Sequence, residues 1–502
     1  MAGSPSAMRG WKRARHFVLT PCCSSPERAC RIGDTRPMTN AERWQLTRRS
    51  LVRSGLVGAA CAGLAPLPLL GATPDATLEI APFIVEPTPR HRYKTLAYNG
   101  QVPGPLLRMR AGQATTVEVR NHSTREEVVH WHGLFLPSEI DGAMEEGTPM
   151  LAPGETKQYT FRPEPAGFRW YHTHTFAGND LTVGQFGGLH GFLMIDGPRG
   201  SQPAAFDREV FLALHDWGGQ MLASDDGSMM PSYDVSTING KALGFGEPVR
   251  VKRGERVMLH LLNSSPTEVH WIALAGHTFH VVALDGNDLP ATQQKSVPML
   301  RLAPAERIST IVTMNAPGVW VLGEVRKHVQ AAGMGIVVEY EGAGGKPKWI
   351  QPEDLAWSYR QFGGSDNSRT VDASDPSEPA LPIRLKFSSK FEGHGSPERW
   401  TINGKSYPDT EEPMLQQGKR YRLILDNQSH DDHPLHLHRH VFEVRSIDGA
   451  TGMNGIVKDT VLVPAHSIAE VEFLAQHPGR TLFHCHQQDH MDRGFMMVFR
   501  YA

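Results

Sequence analysis

The sequence contains little cysteine, and most of that cysteine lies near its beginning. Of the 5 cysteines in 502 residues, only Cys485 lies beyond residue 72. The body of the chain therefore cannot form an intramolecular disulfide. A lone cysteine is an inert buried thiol, a reactive nucleophile or a metal ligand, and the residues around it indicate which of these roles it has.

Acidic residues are absent from the region between Glu42 and Asp75. In this region the sequence TRRSLVR at 47–53 precedes an apolar stretch of mostly small residues at 54–72. The pattern is typical of a twin-arginine export signal. A membrane-anchoring helix is the alternative, but two prolines interrupt the stretch and its small residues make it only weakly apolar. We therefore expect export without a stable membrane anchor.

The position of this signal divides the N-terminal region. An export signal begins close to its charged segment, so residues 1–37 are interpreted as an upstream extension and Met38 as the start. The signal peptide then spans 38–76, with cleavage expected between Ala72 and Ala76. The expected partner is the twin-arginine export machinery, and the expected location is periplasmic or secreted.

Positive charge is scarce in the body of the chain. The first 72 residues hold 11 Lys+Arg and 3 Asp+Glu, which leaves 40 basic and 50 acidic residues, a balance of about −10. This balance argues against a nucleic-acid partner. A composition of 40% hydrophobic and 8% aromatic residues is instead that of a protein with a packed core.

Beyond residue 76 the chain repeats itself three times. Each copy has an Asn-Gly turn, then a glycine, and nine residues later an asparagine, which is Asn121, Asn263 or Asn427. Apolar and polar residues alternate before each asparagine and predict half-buried β-strands, at 114–119, 256–261 and 420–425.

The repeat predicts an all-β fold of three antiparallel β-sandwich domains. We expect the first domain at 77–200, the second at 201–345 and the third at 382–502. The segment 346–381 is rich in Gly, Ser, Pro and Asp and is interpreted as a linker.

Histidine is arranged in four His-x-His pairs. Residues two apart on a strand point to the same face, so each pair presents two imidazoles towards one centre. Eight such ligands exceed the need of one tetrahedral ion and indicate a metal cluster. The pairs are His130/His132, His172/His174, His436/His438 and His484/His486.

Cys485 stands between the two histidines of the last pair. Alternation turns its side chain to the opposite face, which indicates a second metal site there. With His433 and His490 it supplies the two histidines and one cysteine of a blue-copper electron-transfer site. The chain from Cys485 to its neighbouring histidines would then join the two sites.

The second copy of the repeat is an internal control for these histidines. A single His-x-His pair is more often ordinary surface or core histidine than a metal site. Where the third copy has metal-ligating residues, however, the second has Ala273, Ala275 and the Gly-Glu-Val sequence at 323–325, so the fold does not require them. His270 and His280 lack the other metal ligands that the third copy has and are interpreted as structural.

From about residue 77 the sequence resembles the three-domain multicopper oxidases, the family of laccases, ascorbate oxidases and bacterial cuprous oxidases. The resemblance rests on HWHG at 130–133, WYHTH at 170–174, HPLHLH at 433–438 and HCHQQDH at 484–490. It implies a cupredoxin-like Greek-key fold for every domain and a trinuclear cluster between the first and third. It also implies four copper ions: one type 1, one type 2 and two type 3.

The resemblance assigns each ligand to a copper. The type 1 set is His433, Cys485 and His490, and the type 2 pair is His130 and His436. One type 3 set is His132, His172 and His486, and the other is His174, His438 and His484.

The sequence departs from the common family pattern in three places. Ten residues past the cysteine, where many members have an axial methionine, stands Phe495. Phenylalanine cannot bind copper, so we expect a three-coordinate type 1 site of raised potential, with Met496 off register. Arg439 replaces the usual glycine after HLH, and Met491 replaces an acidic residue known in some relatives.

Asp141 matches an acidic position that the family uses to deliver protons to reduced oxygen. Asp141 and Cys485 are therefore the two candidate catalytic residues. A turn residue before Gly142 is the equal alternative. Some relatives have a second acidic residue for proton delivery at the position of Met491. Because methionine cannot serve there, Asp489 is a nearby candidate for that role.

The resemblance implies an oxidase that takes electrons singly from a reductant and reduces dioxygen to water. A high-potential site favours laccase-like oxidation of phenols or aromatic amines. A cuprous oxidase for copper tolerance, with Cu(I) as substrate, is the alternative, although the sequence has no dense methionine cluster. A non-catalytic copper-binding protein is a third hypothesis, and a copper nitrite reductase would not need eight paired histidines.

Overall fold

A computed structural model describes residues 73–198, 205–223, 229–364, 379–391 and 398–502. The predicted extension and nearly all of the predicted export signal lie outside these ranges. Within them, no helix is long and apolar enough to cross a membrane.

The first part of the fold is a sandwich of two sheets with strand orders β2-β1-β4-β6 and β3-β8-β7-β5. The strands are β1 (Ala76–Thr88), β2 (His91–Tyr98), β3 (Gly104–Arg110), β4 (Thr115–Asn121), β5 (Val129–His130), β6 (Thr156–Phe161), β7 (Gly167–Thr173) and β8 (His190–Asp196). The loop after β5 contains helix α1 (Ser138–Asp141) and a 3₁₀ turn at Met144–Glu146, and another 3₁₀ turn at Gly184–Phe186 precedes β8.

The second sandwich has sheets ordered β12-β9-β14-β20-β16-β17, with β18 beside β16, and β13-β22-β21-β15-β19, and a separate hairpin β10-β11. The strands are β9 (Arg208–Trp217), β10 (Gln220–Ala223), β11 (Met229–Ser232), β12 (Val235–Ile238), β13 (Val249–Val251), β14 (Arg256–Asn263), β15 (His270–Leu274), β16 (Phe279–Leu284), β17 (Asn287–Asp288), β18 (Lys295–Val297), β19 (Met299–Leu302), β20 (Arg307–Thr313), β21 (Val319–Glu324) and β22 (Gly335–Tyr340), with helix α2 (Lys327–Ala331) before β22.

The third sandwich has sheets ordered β24-β23-β26-β31-β28-β29 and β25-β33-β32-β27-β30. A 3₁₀ turn at Tyr359–Phe362 precedes it, with both of those aromatic side chains in the core. The strands are β23 (Leu381–Lys390), β24 (Arg399–Ile402), β25 (Met414–Leu415), β26 (Arg420–Asn427), β27 (His433–Leu437), β28 (Phe442–Ile447), β29 (Val457–Lys458), β30 (Thr460–Val463), β31 (Ile468–Leu474), β32 (Arg480–Cys485) and β33 (Met496–Tyr501), with helix α3 (Gln488–Asp492) before β33.

The three sandwiches share one topology, which includes a parallel strand pair beside the antiparallel pairs that the repeat predicted. In each, the first strand pairs in parallel with the strand that ends at the repeated asparagine: β1 with β4, β9 with β14 and β23 with β26. Such pairing of non-consecutive strands is the crossover of a Greek key. The all-β, three-sandwich fold class is thereby confirmed.

The strand of the second repeat differs from the prediction in burial. β4 and β26 alternate between buried and partly exposed residues, but β14 is buried on both faces apart from Arg256. The reason is contact between sandwiches, since Leu262 of β14 packs against Phe168 and Trp170 of the first sandwich. Half-burial was therefore wrong for β14.

Candidate metal centre

Two pairs of neighbouring strands carry the first members of the eight histidines. His130 in β5 lies opposite His172 in β7, and His436 in β27 lies opposite His484 in β32. The second member of each pair follows two residues later, where alternation returns its side chain to the same face. Each of the two sandwiches thus presents four imidazoles from one end of a sheet.

The two sets of imidazoles meet between the first and third sandwiches. His130 stacks on His438 with ring centroids 4.0 Å apart, and His132 stacks on His436 at 3.7 Å. All eight side chains are at most 2% exposed. The histidines therefore form one buried cluster, shared between distant parts of the chain.

Hydrogen bonds to one ring nitrogen direct the other nitrogen into the cluster. Nδ1 of His130 donates to the carbonyl oxygen of Asp141 at 2.9 Å, and Nδ1 of His436 donates to that of Asp459 at 2.8 Å. Nε2 of both rings is buried without a hydrogen-bond partner among the described residues. An unpaired buried nitrogen is costly, whereas a metal ion would use its lone pair.

The donor set fits metal ions. Further buried ring nitrogens lack a partner among the described residues: His132 Nδ1, His172 Nε2, His174 Nδ1 and both nitrogens of His486. Four groups in and beside the cluster have ligand atoms within 4.8 Å of one another: His130/His436/His438, His130/His132/His172, His174/His438/His484 and His132/His436/Asp459.

The protonation of the cluster also suits metal binding. Burial, together with the neighbouring imidazoles, lowers the pKa of six of its histidines well below the ordinary value, and lowers that of His174 to about 3. Neutral imidazole has a free lone pair for a metal ion. The six are His132, His172, His436, His438, His484 and His486.

The predicted copper sets can be compared with this geometry. His174, His438 and His484, predicted to hold one type 3 copper, form one of the four groups. The predicted type 2 pair, His130 and His436, shares a group with His438. The other type 3 set is also close, since the His486 ring lies 5.2 Å from the rings of His132 and His172. The division among individual coppers stays a prediction.

A second ligand group lies behind the cluster, on the opposite face of β32. Cys485 Sγ is 3.7 Å from Nδ1 of His433 and 3.6 Å from Nδ1 of His490, and these two nitrogens are 3.2 Å apart. Burial raises the pKa of the Cys485 thiol well above its ordinary value. A bound metal would overcome this, because a coordinated thiol loses its proton.

Phe495 adjoins this group, and Met496 does not. The Phe495 ring lies 4.7 Å from that of His433, and its carbonyl oxygen accepts a hydrogen bond from the Cys485 amide. Met496 packs in a different cluster, with Ala143 and Leu482. The Phe495 ring, and not the Met496 side chain, thus lies beside the cysteine group.

In the second sandwich an ion pair occupies the position of this group. The fully buried His270 lies 2.8 Å from Asp216 through Nε2 and 3.1 Å from Glu324 through Nδ1. Glu324 stands where the third repeat has Cys485. Both ring nitrogens are thus engaged by carboxylates, which agrees with a structural His270.

His270 should make stability depend on pH. Burial opposes its charge, but Asp216 and Glu324 outweigh burial and raise its pKa to about 9. Its contribution of about 3 kcal/mol is complete below the unfolded pKa of about 6.5 and is lost as pH rises through the folded pKa. Urea unfolding at pH 6 and pH 9.5 should show this loss in the wild type and a smaller one in His270→Gln. His280 is hydrogen-bonded to Ser296 at the surface, so His280→Gln should behave as the wild type. Equal losses in all three proteins would contradict the expectation.

Asp141 lies in the turn that the sequence indicated, and its carboxylate faces the histidine cluster. It ends α1 before Gly142, whose φ of 109° suits glycine. Its Oδ2 lies 2.9 Å from Nδ1 of His438 and 3.2 Å from Nδ1 of His130. The turn thus positions a carboxylate against two ligands, and Oδ1 is buried without a partner among the described residues.

Glu146 is a buried residue that the sequence reasoning missed. Its Oε1 accepts a hydrogen bond from the amide of Leu482 at 2.6 Å and lies 3.7 Å from Nδ1 of His438. Burial and the charge of Asp141 raise its pKa well above the ordinary value. Asp489, the earlier candidate for a second acid, instead lies in α3 near Arg493.

Asp459 was also missed, although it connects all three sandwiches. Oδ1 lies 3.2 Å from Nε2 of His132, and Arg307 of the second sandwich donates to both carboxylate oxygens at 2.7 and 2.6 Å. Arg169 of the first sandwich lies 3.5 Å away. Burial alone would raise the pKa of Asp459, but Arg307 holds it below the ordinary value. No sequence motif near Asp459 indicates these contacts.

Arg439 has a structural explanation that its sequence context did not supply. Its backbone has a φ of 60°, and its side chain is buried. The guanidinium donates across the interface to Leu136 O and, within the third sandwich, to Thr481 Oγ1 and the carbonyls of His477, Pro478 and Arg480. Arg439 thereby fixes the loop after His438 against the first sandwich.

Comparisons with known proteins agree with this geometry. Sequence profiles described as multicopper oxidase match residues 80–200, 209–340 and 377–502. The multicopper oxidase MmcO of Mycobacterium tuberculosis is 28% identical over 88% of this chain and 90% of its own length. Copper resistance protein A of Escherichia coli is 22% identical over 80% of this chain and 88% of its own length. Laccase-4 of Thanatephorus cucumeris is 26% identical over 78% of this chain and 82% of its own length.

A solved structure extends the likeness to three dimensions. The multi-copper oxidase from Pseudomonas thermotolerans has a TM-score of 0.67 and 26% identity, and the match covers 86% of this chain and 100% of that one. Together with the buried imidazole cluster and the adjoining cysteine site, these findings place the chain in the multicopper oxidase family, whose members are copper-dependent oxidoreductases that use dioxygen.

Proposed function

We propose that this chain is a laccase-like oxidase, which oxidises phenols or aromatic amines with four bound coppers. The observation that carries the proposal is the sequence His484-Cys485-His486, whose histidines join the buried cluster while its cysteine joins the second group. When bound, the coppers supply the redox chemistry, namely one-electron oxidation of the reductant and four-electron reduction of dioxygen to water.

The chain's own residues hold and orient the metals. His433, Cys485 and His490 would hold the type 1 copper, and His130 with His436 the type 2 copper. The remaining six histidines would hold the type 3 pair. Backbone carbonyls and Asp141 fix several of these rings through Nδ1, which keeps their Nε2 atoms directed inwards.

The reductant is proposed to approach from the side of His490. This ring is 5% exposed, whereas His433 is 0% exposed, so His490 is the more accessible of the two histidines in the cysteine group. Trp400 packs against it with ring centroids 4.2 Å apart. On the cluster side, Asp141 is proposed to take part in proton delivery, because its carboxylate lies against Nδ1 of His438 and of His130.

One preparation tests both the copper content and the activity. Purified copper-loaded protein should contain four coppers per chain, with type 1 and type 2 signals in electron paramagnetic resonance. Oxygen uptake should be faster with a phenol and an aromatic amine than with Cu(I). One copper per chain, or zinc in its place, would contradict the site assignment, and absence of oxygen uptake with any reductant would support a non-catalytic copper-binding protein.

A cuprous oxidase is the second candidate, and one contact favours it. The hairpin β10-β11 carries Met229 and the 51%-exposed Met230, and the Met229 carbonyl accepts a hydrogen bond from Arg493, three residues beyond His490. Thioether sulfur is a suitable ligand for Cu(I). Faster oxygen uptake with Cu(I) than with either organic reductant would establish this alternative.

We also propose export through the twin-arginine route to the periplasm or the exterior. The support is the sequence TRRSLVR at 47–53 with the apolar stretch that follows it. Replacing both Arg48 and Arg49 with lysine should retain the precursor in the cytoplasm, as fractionation would show. Unchanged export of that variant would contradict the route.

Phe495→Met should lower the potential of the type 1 copper. Methionine can add a weak axial sulfur ligand, which stabilises Cu(II) over Cu(I), while it fills much of the space of the phenyl ring. Each fall of about 60 mV lowers the equilibrium constant for one-electron oxidation about tenfold, so poor reductants should be slowed most. Redox titration of the blue absorption measures the change.

Met496→Leu is the matched control for this substitution. Met496 belongs to the other hydrophobic cluster, so a volume-conserving change there should leave the potential unaltered. An unchanged or higher potential in Phe495→Met, or an equal shift in the control, would show that Phe495 does not set the axial position.

A further inference from the structure

Two exposed histidines lie on the third sandwich, outside both ligand groups. Nε2 of His466 is 2.9 Å from Nδ1 of His430, and the ring centroids are 4.5 Å apart. With metal–nitrogen bonds of about 2.0 Å, neighbouring ligands lie about 2.8 Å apart in a square-planar site and about 3.3 Å apart in a tetrahedral one. The observed separation is closer to the square-planar geometry of Cu²⁺.

The backbone at His466 is one that suits glycine. Its φ is 54°, in the left-handed region that bulky residues rarely adopt. The same turn of the repeat has Gly154 in the first sandwich and Ala305 in the second, with φ of 80° and 70°. The turn therefore forms without an imidazole, so the fold does not require histidine at this position.

His430 also has no histidine counterpart in the first repeat. Three residues beyond the repeated asparagine, the third copy has His430 and the first has Thr124. Both members of the pair are thus particular to the third copy. The repeat argues that the fold needs neither ring.

The two loops that carry the rings are fixed to each other. The amide of His466 donates to the carbonyl of Ser429 at 3.2 Å, and the amide of Ala465 donates to Oδ1 of Asp432 at 2.9 Å. The amide of Asn427 donates to the carbonyl of Ser467 at 2.9 Å. The imidazoles are therefore held together before any ion binds, which lowers the entropic cost of binding.

We propose that His430 and His466 form a surface binding site for one Cu²⁺ ion, in addition to the coppers of the two buried groups. Two neutral imidazoles supply the lone pairs, because a tautomeric shift moves the shared proton to an outer ring nitrogen. The carboxylate of Asp432, bound to the residue before His466, adds negative charge beside the site. Water completes the coordination, and Cu²⁺ is the divalent ion that such ligands bind most tightly.

The test adds CuCl₂ to protein whose buried coppers are already loaded. Calorimetric titration should show one further Cu²⁺ per chain, and electron paramagnetic resonance should show a new tetragonal signal coupled to nitrogen. His466→Gly and His430→Thr restore the residues of the first repeat, and each should weaken this binding at least tenfold. The blue absorption should be the same in all proteins, which separates this result from any failure of the buried sites.

His122→Gln removes an exposed histidine of the first sandwich and is the matched control. It should bind the further Cu²⁺ as the wild type does. Equal affinity in the wild type and both pair variants would overturn the proposal, and so would equal loss in the control, since the pair would then be only a hydrogen bond between two surface rings.

Discussion

Cys485→Ser should lose the blue colour and the oxidase activity together. The blue absorption of a type 1 copper arises from thiolate charge transfer, which a serine oxygen does not provide. Cys485 belongs to the second ligand group and is joined through the backbone to His484 and His486 of the buried cluster. We expect turnover to fall at least a thousandfold, an added barrier of about 4 kcal/mol.

The buried cluster provides the control within the same molecule. The buried cluster consists of eight histidines, and Cys485 is not one of its ligands. The Cys485→Ser variant should therefore still bind the type 2 and type 3 coppers. Metal analysis should therefore find three coppers per chain, with the type 2 resonance retained. A variant with full activity would show that Cys485 is only a buried thiol, and one without any copper would show that the substitution disrupts the fold.

Arg307→Met should destabilise the protein strongly, although Arg307 is not a predicted copper ligand. Its guanidinium and the carboxylate of Asp459 are both fully buried and joined by two hydrogen bonds. Removing one partner leaves a buried charge uncompensated, which costs about 3–5 kcal/mol. The remaining cation, Arg169, lies 3.5 Å from Asp459 and can offset only part of this cost. Urea unfolding at equal copper content measures the loss.

A second arginine provides a matched control at the surface. Arg108 of the first sandwich pairs with Glu209 of the second at 2.8 Å, but its side chain is 43% exposed. Arg108→Met should therefore cost less than about 1 kcal/mol. Equal losses in the two variants would mean that the buried pair contributes no more than a solvated one.

The fold and the ligand clusters were accessible from the sequence because their signals are local or periodic. Alternation predicts strands, the repeated Asn-Gly turns mark the copies, and His-x-His spacing alone places two rings on one face. Spacing also separated Phe495 from Met496, since only Phe495 stands ten residues past the cysteine. The family and its fold class were confirmed on this basis.

The supporting residues were not accessible, because their partners lie far from them in the sequence. Asp459 is explained by Arg307 and His132, and Arg439 by carbonyls of the segment 477–480 and of Leu136 in the first sandwich. Nothing near these residues in the sequence indicates such contacts. β14 shows the same limit, since part of its second face is buried by a neighbouring sandwich, where Leu262 packs with Phe168 and Trp170.

The shared cluster also affects how the protein is made. The Nε2 atoms of His174 and His484 are 3.4 Å apart, although the two residues are 310 positions apart in the chain. A ribosome must therefore release almost the whole polypeptide before both halves of the cluster exist. Copper that arrives earlier meets only half of the ligands, and a chain truncated before β32 retains neither the cysteine nor the last pair of histidines. Copper insertion should consequently follow translation, and prematurely terminated products should lack oxidase activity.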